Sequence, residues 1–222
     1  MIKLVIFDFD GTLVDTSLDI LDAANRLLKH YNKEPITFDE VKAHIGAGFN
    51  PFIESLARER GEGKNFAEEV FNLFQEIYDK QLMQKSKFYD GVEKFLKKYQ
   101  KHSQSKIGII SNKPEYQVRI ILKAFGIQEK HLVEIYGGDR FEVKKPNPKP
   151  LFEMMALAGT KPEETVMIGD SKADVEAAKA AGTHFIGVSF GFNTMEALQK
   201  FGAENFIHHF DELLPLLKTY SF

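Results

Sequence analysis

The sequence predicts an α/β protein in which a doubly wound parallel sheet, a Rossmann-like core, carries an inserted all-helical cap domain. Two observations lead to this class. Short apolar runs alternate with helical patterns in the second half of the chain, which is typical of a parallel sheet with helices on both faces. The first apolar run, residues 4–7, is separated from the next, residues 106–111, by nearly a hundred residues. A crossover between parallel strands needs only about a dozen residues, so the surplus indicates an insertion.

The first part of the chain contains one predicted strand and then only helices. Residues 4–7 (LVIF) are apolar, β-branched or aromatic, and predict a buried strand. Apolar residues at helical spacing follow within 20–28, 53–57 and 70–77, with breaks at 32–37, 46–51 and 61–65. No strand is expected from residue 17 to residue 88. We therefore assign residues 15–85 to the cap, and residues 1–14 and 86–222 to the core.

The rest of the chain alternates between strands and helices. The predicted strands are residues 106–111, 133–138, 165–170 and 184–189, with a short edge strand at 204–209. The predicted helices are residues 91–99, 116–125, 150–158, 172–181, 194–201 and 210–218. Gly126 and Gly182 directly follow two of these helices, as expected of residues that end a helix.

The composition is that of a globular protein with a large core. Of 222 residues, 43% are hydrophobic, and the 20 Phe predict an aromatic core. The 29 basic and 32 acidic residues give a net charge of −3, so we expect no binding to nucleic acid or to a membrane. The absence of cysteine excludes disulfides, thiolate nucleophiles and cysteine zinc sites.

The N-terminal sequence has one early lysine and a short apolar run that ends in acidic residues. It lacks the long apolar segment and small-residue cleavage site of a secretory signal. No apolar stretch approaches the roughly 18 residues that a membrane helix needs. We therefore expect a soluble cytoplasmic protein, a monomer by default, with a dimer as the alternative.

Residues suited to phosphate and metal chemistry follow four of the predicted strands. They are Asp8 and Asp10 after the first strand, Ser111, Asn112 and Lys113 after the second, Lys144 and Lys145 past the third, and Asp170 and Asp174 after the fourth. In an open parallel sheet, ligands bind just beyond the carboxyl ends of the strands. Folding should therefore bring these residues together.

Asp8 and Asp10 are only two residues apart, and like charges at that range repel unless a cation lies nearby. Together with Asp170 they could bind Mg²⁺, which prefers oxygen ligands and would also reduce repulsion of a phosphate group. One carboxylate could then attack phosphorus and form an aspartyl-phosphate. The other could protonate the leaving oxygen and later activate a water molecule.

The phosphoryl oxygens would need cations and fixed hydrogen-bond donors. Ser111 offers a hydroxyl group and Lys145 an ammonium group. Backbone amides beside Gly11 and Asn112 could also point at a phosphoryl oxygen, and Gly11 permits close approach of the backbone. Thr12 completes the predicted phosphate site.

Each motif alone has a simpler explanation. An isolated Asp-x-Asp is typical of a solvated turn, and Ser111-Asn112 would suit a helix cap. The segment KKPNPKP would form a rigid loop, and Asp174 would fit the first turn of a helix. The occurrence of all four motifs in one chain favours the catalytic explanation.

The motifs DFDGTLVD, SNK, KKPNPKP and GDSKAD, in this order and spacing, resemble those of the haloacid dehalogenase-like hydrolase superfamily. The resemblance spans essentially the whole chain. It implies the following roles: Asp8 as nucleophile, Asp10 as general acid/base, Ser111 and Lys145 as phosphoryl ligands, Asp8, Asp10 and Asp170 as Mg²⁺ ligands, and Asp174 as an outer or occasional ligand. Lys145 is favoured over Lys144 because the family's lysine directly precedes the proline.

Three branches of this family are disfavoured by single residues. The dehalogenases lack the second acid of the first motif, which is Asp10 here. Phosphonate-cleaving members lack it too and use a cap lysine about where this chain has Phe49. The β-phosphoglucomutases carry a cap histidine where this chain has Ile20. A phosphatase remains, with a sugar phosphate mutase as a distant alternative.

The segment HIGAGFNPFIESLARERG (44–61) resembles the cap of phosphoglycolate phosphatases, which makes Gly46, Gly48 and Phe49 candidate substrate contacts. The segments GDSKADVEAAKAAG and GVSFGFNT resemble the same group and its pyrophosphatase and nucleotidase relatives. The expected substrate is thus a small phosphorylated metabolite, 2-phosphoglycolate first, with pyrophosphate, a nucleoside monophosphate or a sugar phosphate as alternatives.

A phospho-acceptor signalling module of the receiver type is the alternative from another class. It also combines acidic residues, a hydroxyl group, a lysine and Mg²⁺ on a parallel α/β sheet. A receiver needs about half this length and has no helical cap, and Asp10 favours turnover over a lasting phosphorylated state.

Overall fold

A computed structural model describes residues 1–45, 53–54, 64–102 and 106–220 of the chain. The chain divides into two compact units. One unit consists of Met1–Asp15 and Phe88–Phe222, and the other of Thr16–Lys87. The strands are β1 (Leu4–Phe7), β2 (Val14–Asp15), β3 (Lys87–Phe88), β4 (Lys106–Ile110), β5 (Ile135–Tyr136), β6 (Thr165–Gly169), β7 (His184–Val188) and β8 (Phe206–Ile207).

Helices fill most of the remaining described chain. They are α1 (Ser17–His30), α2 (Phe38–Ile45), α3 (Lys64–Asp79), α4 (Val92–His102), α5 (Glu115–Ala124), α6 (Lys149–Ala158), α7 (Lys172–Ala181), α8 (Met195–Gln199) and α9 (Leu213–Thr219). Short 3₁₀ turns occur at Glu129–His131, Pro162–Glu164 and Phe210–Glu212. Among the described residues, no helix has both the length and the apolar character of a membrane span.

The first unit is built on a six-stranded sheet in the order β5-β4-β1-β6-β7-β8. All paired neighbours in it are parallel. The central strand β1 is fully buried and places Phe7 beside Ile109 of β4 on one side and Ile168 of β6 on the other. The carboxyl ends of these three strands therefore lie side by side.

Helices cover both faces of this sheet, because successive side chains of a strand point to opposite faces. On one face, Leu4 and Ile6 join a buried cluster with Met154 of α6 and Ala178 of α7. On the other face, the ring of Phe7 lies 5.7 Å from that of Phe95 in α4. The predicted fold class is confirmed, and the aromatic core includes Phe7 at its centre.

The second unit contains α1, α2 and α3 among its described residues. Its core consists of apolar side chains at helical spacing: Ile20, Ala23, Ala24, Leu27, Leu28, Val41, Ile53, Val70, Phe74 and Tyr78. A buried carboxylate, Asp19, fixes the returning chain to α1. It accepts hydrogen bonds from the backbone N–H groups of Lys85 and Ser86, each at 2.9 Å.

Three sequence predictions need correction. The prediction of no strand between residues 17 and 88 is wrong at its end, since Lys87–Phe88 forms β3 and pairs with β2. A two-residue strand is too short to show an alternating pattern. The strand predicted at 133–138 is only Ile135–Tyr136, and the last helix begins as the 3₁₀ turn Phe210–Glu212.

Candidate active site

Two of the predicted site residues, Asp8 and Ser111, lie where the neighbouring strands β1 and β4 end. Asp8 directly follows β1, and its backbone N–H donates to the carbonyl oxygen of Ile168 at 2.9 Å. Ser111 directly follows β4, and its N–H donates to the carbonyl oxygen of Tyr136 at 2.9 Å. These hydrogen bonds continue the sheet ladder by one residue, so the backbone beneath both side chains is held by the sheet.

A buried acidic cluster forms the centre of the site. It consists of Asp8, Asp170 and Asp174, with one carboxylate oxygen of each within 4.8 Å of the others. The ammonium group of Lys145 lies 2.8 Å from Asp8 Oδ1 and 2.6 Å from Asp174 Oδ1. Three carboxylates against one ammonium leave an excess of two negative charges. One divalent cation would neutralise this excess.

The Asp8 carboxylate is held through one of its two oxygens. Oδ1 accepts hydrogen bonds from the Phe9 backbone N–H at 2.6 Å and from Lys145. In the part of the chain that the structure describes, no donor occupies Oδ2. The carboxylate is thus fixed in direction while one oxygen stays available for chemistry.

Asp170 is fixed through both of its oxygens. Oδ2 accepts the backbone N–H of Phe192 at 2.7 Å, and Oδ1 accepts the hydroxyl of Thr12 at 3.3 Å. Two glycines make room for this carboxylate. A Cβ on Gly11, which has φ +81°, would lie 2.3 Å from Asp170 Oδ2, and one on Gly191 would lie 2.3 Å from Asp170 Cβ. The close backbone approach at Gly11 is made to Asp170, and the predicted approach to a phosphoryl oxygen stays a prediction.

Asp174 combines a helix cap with the contact to Lys145. Its Oδ2 accepts the backbone N–H and the hydroxyl of Ser171 at 3.0 and 2.6 Å, and Ser171 Oγ accepts the Asp174 N–H at 3.3 Å. This reciprocal capping box starts α7. Because both oxygens of Asp174 already accept hydrogen bonds, its main visible role is to orient Lys145.

The electrostatics of the cluster favour a bound cation. Burial, and then Asp174, raise the pKa of the Asp8 carboxyl well above its usual range, although Lys145 opposes this. The same two causes raise the pKa of Asp170 to about 7. Burial alone would lower the pKa of Lys145, but Asp174 and Asp8 outweigh it and raise the pKa. A cation in the cluster would remove the cost of these buried negative charges.

The Asp10 carboxylate lies outside the acidic cluster found among the described residues. Its Oδ2 is 3.2 Å from the ammonium group of Lys113, whose side chain is only 6% exposed. The structure therefore separates two acids that are neighbours in the sequence. Asp8 contacts Lys145, and Asp10 contacts Lys113.

The predicted phosphate ligands are brought together in part. Ser111 is buried, and its Oγ accepts the Lys113 N–H at 3.2 Å. The Asn112 amide donates to the carbonyl oxygen of Lys145 at 3.0 Å, which ties the loop after β4 to the lysine loop. The candidate substrate contacts Gly46, Gly48 and Phe49 lie outside the described residues.

Two residues near the cluster, Phe192 and Tyr89, are absent from the sequence predictions of the site, and a third, Lys113, is named there without a role. Lys113 stands in the SNK motif, yet no role follows from its position alone. Phe192, whose backbone N–H donates to Asp170, lies in the segment GVSFGFNT. The similarity of this segment to phosphoglycolate phosphatases could have indicated a place near the site. Tyr89 has a pKa raised above its usual range by burial and then by nearby acids that include Asp10 and Asp170. No sequence pattern indicates Tyr89.

Comparison with known proteins agrees with this fold. The chain matches the family model described as haloacid dehalogenase-like hydrolase over residues 5–188. A phosphoglycolate phosphatase of Colwellia psychrerythraea is 35% identical, covering 97% of each chain. That of Psychrobacter arcticus is 32% identical, covering 98% of this chain and 97% of the relative.

A solved structure from Haemophilus somnus, described as a predicted phosphoglycolate phosphatase, superposes with a TM-score of 0.87. It is 26% identical, and the match covers 97% of this chain and 98% of that one. The chain therefore belongs to the haloacid dehalogenase-like hydrolases. Within this family it lies in the phosphoglycolate phosphatase-like branch, and it is an enzyme of the phosphatase class. The predicted family resemblance is confirmed.

Proposed function

We propose that this phosphatase hydrolyses 2-phosphoglycolate in a Mg²⁺-dependent reaction that passes through an aspartyl-phosphate on Asp8. The observation that carries the proposal is the buried cluster of Asp8, Asp170 and Asp174 around Lys145 at the ends of adjacent parallel strands. Such a site offers a nucleophile, positive charge for a phosphoryl group, and oxygen ligands for a cation.

Asp8 is the proposed nucleophile. Its Oδ2 attacks phosphorus, the new Oδ2–P bond forms, and the bond from phosphorus to the leaving oxygen breaks. The hydrogen bonds from Phe9 and Lys145 to Oδ1 hold the carboxylate in one orientation during the attack. Lys145 also places a positive charge next to the phosphoryl group, with Ser111 as the proposed hydroxyl donor.

Asp10 is the proposed general acid and base. Its protonated carboxyl donates a proton to the leaving oxygen, which departs as the alcohol. The resulting carboxylate then takes a proton from water, and the water oxygen attacks phosphorus. The Oδ2–P bond breaks, inorganic phosphate leaves, and both carboxyl groups return to their starting states.

The acidic cluster fits a Mg²⁺ ion because its donors are carboxylate oxygens and its excess charge is two negative units. Asp8 and Asp170 would hold the ion, with Asp174 behind them; Asp10 as a ligand stays a prediction. When bound, the ion offsets the negative charge that the carboxylates and the phosphoryl group share.

The choice of 2-phosphoglycolate rests on the names of the relatives and on the similarity of residues 44–61 to the cap of that group. The second unit, Thr16–Lys87, is the proposed cap that selects the leaving group. Contacts from Gly46, Gly48 and Phe49 to the substrate stay predictions.

Phosphate release by the purified enzyme, with Mg²⁺ and with EDTA, tests this proposal. The panel contains 2-phosphoglycolate, pyrophosphate, nucleoside monophosphates and sugar phosphates. We expect Mg²⁺-dependent release that is fastest with 2-phosphoglycolate, and none from Asp8→Asn. Asp211→Asn is the matched control, since Asp211 is exposed and its carboxylate lies 2.9 Å from the ammonium group of the exposed Lys94. Equal rates across the panel would contradict the substrate, and release unaffected by EDTA would contradict the metal requirement.

A further inference from the structure

Lys113 is a buried lysine that the proposed reaction leaves without a role. Its side chain is 6% exposed, and its ammonium group lies 3.2 Å from Asp10 Oδ2. Lysine is rarely this buried unless its charge is paired, because removing an ammonium group from water is costly. The pairing with Asp10 therefore accounts for the burial of Lys113.

The backbone on both sides of this ion pair is fixed. The Lys113 N–H donates to Ser111 Oγ at 3.2 Å, and the Lys113 carbonyl oxygen accepts the Gly138 N–H at 2.9 Å. On the other side, the Gly11 N–H donates to the carbonyl oxygen of Val14 at 2.9 Å and closes the loop that carries Asp10. Since both loops are held, the main freedom left to Asp10 is rotation of its own side chain.

We infer that Lys113 is a positioning residue that holds the Asp10 carboxyl group in the orientation from which it transfers protons. The inference rests on the proposed function, in which Asp10 is the general acid and base. Oδ2 of Asp10 lies 3.2 Å from the ammonium group of a buried lysine, so the carboxyl group already has a fixed direction before the reaction starts. A misplacement of a catalytic group by about 1 Å can cost about 100-fold in rate.

The leaving group of the substrate separates this role from a purely structural one. The alkoxide of 2-phosphoglycolate needs a proton to depart, whereas the phenolate of p-nitrophenyl phosphate departs without one. For Lys113→Met, we expect kcat/KM to fall about 100-fold with 2-phosphoglycolate and by less than about threefold with p-nitrophenyl phosphate. Lys123→Met, which removes an exposed lysine of α5, is the matched control and should change neither value.

Two further variants test whether Lys113 acts through Asp10. The double variant Asp10→Asn/Lys113→Met should be no slower than Asp10→Asn alone, because residues that work as one unit are not additive. Lys113→Arg keeps the positive charge and should recover part of the loss. Circular dichroism confirms folding of each variant, and Lys113→Gln replaces the Met variant if that one does not fold.

The outcomes distinguish this inference from the proposed function. If Asp10→Asn loses activity selectively with 2-phosphoglycolate but the Lys113 variant slows both substrates equally or neither, the positioning role is wrong and the proposed function stands. If Asp10→Asn itself shows no leaving-group selectivity, the acid role of Asp10 is wrong and the inference falls with it. If the wild-type enzyme does not hydrolyse 2-phosphoglycolate, the proposed substrate is wrong, and the same comparison uses the alkyl phosphate that the panel identifies.

Discussion

Two groups of charged side chains lie at the same edge of the sheet and differ in their charge balance. The acidic cluster, Asp8, Asp170 and Asp174, contains three carboxylates around the single ammonium of Lys145. The Asp10–Lys113 pair contains one charge of each sign. The cluster thus has excess negative charge that a cation can offset, whereas the pair is balanced within the chain.

This difference would separate the two functions proposed for Asp8 and Asp10, which are only two residues apart in the sequence. An excess of negative charge next to a cation suits a nucleophile that must meet a phosphate group. An ammonium partner at 3.2 Å can fix the direction of a carboxyl group that has to transfer protons within hydrogen-bond reach of the substrate. We propose that the direction of the two side chains, Asp8 toward Lys145 and Asp10 toward Lys113, is the structural basis of this division.

The largest expected loss of stability and activity comes from removing the ammonium group of Lys145. Among the described residues, it is the only ammonium group found in contact with the acidic cluster. Lys145→Met would leave Asp8 and Asp174 without their shared partner. Breaking a buried ion pair on one side typically costs about 3–5 kcal/mol, so we expect a loss of that order in the free energy of unfolding and loss of phosphatase activity. Urea denaturation and phosphate release measure the two effects.

Lys144→Met is the control for this variant, since it removes a neighbouring lysine that is only partly buried. It should change stability by much less than Lys145→Met. Equal losses of stability in the two variants would show that the acidic cluster does not depend on Lys145.

A smaller effect is the dependence of the protein's stability on pH and on bound metal. The pKa of Asp170 is raised from 3.8 to about 7, by burial first and then by Asp174, while Lys145 opposes the shift. A raised carboxyl pKa means that the folded state binds more protons than the unfolded state between these values. In the metal-free protein, its contribution to stability is therefore complete below pH 3.8 and is lost as the pH rises through about 7. Asp8 acts in the same direction.

Thermal unfolding of the metal-free protein between about pH 5 and pH 8 measures this effect, which should amount to a few kcal/mol. Asp170→Asn should flatten the dependence. Added Mg²⁺ should raise the melting temperature more at the upper end of the range than at the lower end, because the carboxylates that bind it are then ionised. Identical pH profiles for the wild-type protein and Asp170→Asn would contradict the account.

The sequence predicted the fold where local signals and tertiary structure agree. Helix α7 has the same bounds, 172–181, in the prediction and in the structure. It starts at a capping box on Ser171 and ends at Gly182, which has φ +71°. Strand β5 is shorter than its predicted span, 133–138, because its regular ladder with β4 covers only Ile135 and Tyr136, although the Val133 N–H also donates to the carbonyl oxygen of Ile107 at 2.7 Å. Such a limit is set by the neighbouring strand and not by the segment itself.

In the site, too, some features follow from the local sequence and others depend on tertiary contacts. Asp8 and Asp170 could be predicted as neighbours because each follows a strand, and the strands are adjacent and parallel. The pairing of Asp10 with Lys113 could not, because it depends on side-chain directions in two loops. A lysine after a strand is far more often exposed than buried, so only the folded chain shows that Lys113 is buried and lies beside Asp10.

The phosphorylated enzyme itself gives the most direct test of the central claim, that Asp8 carries the phosphoryl group while Asp10 moves the protons. Wild-type enzyme and Asp10→Asn are mixed with substrate and Mg²⁺, quenched in acid within one turnover, digested with pepsin at low pH, and analysed by mass spectrometry. We expect phosphate on Asp8 in both proteins, with a larger fraction in Asp10→Asn because hydrolysis of the intermediate is slowed. Release of inorganic phosphate without any phosphorylated Asp8, or phosphate found on Asp10 instead, would contradict the account.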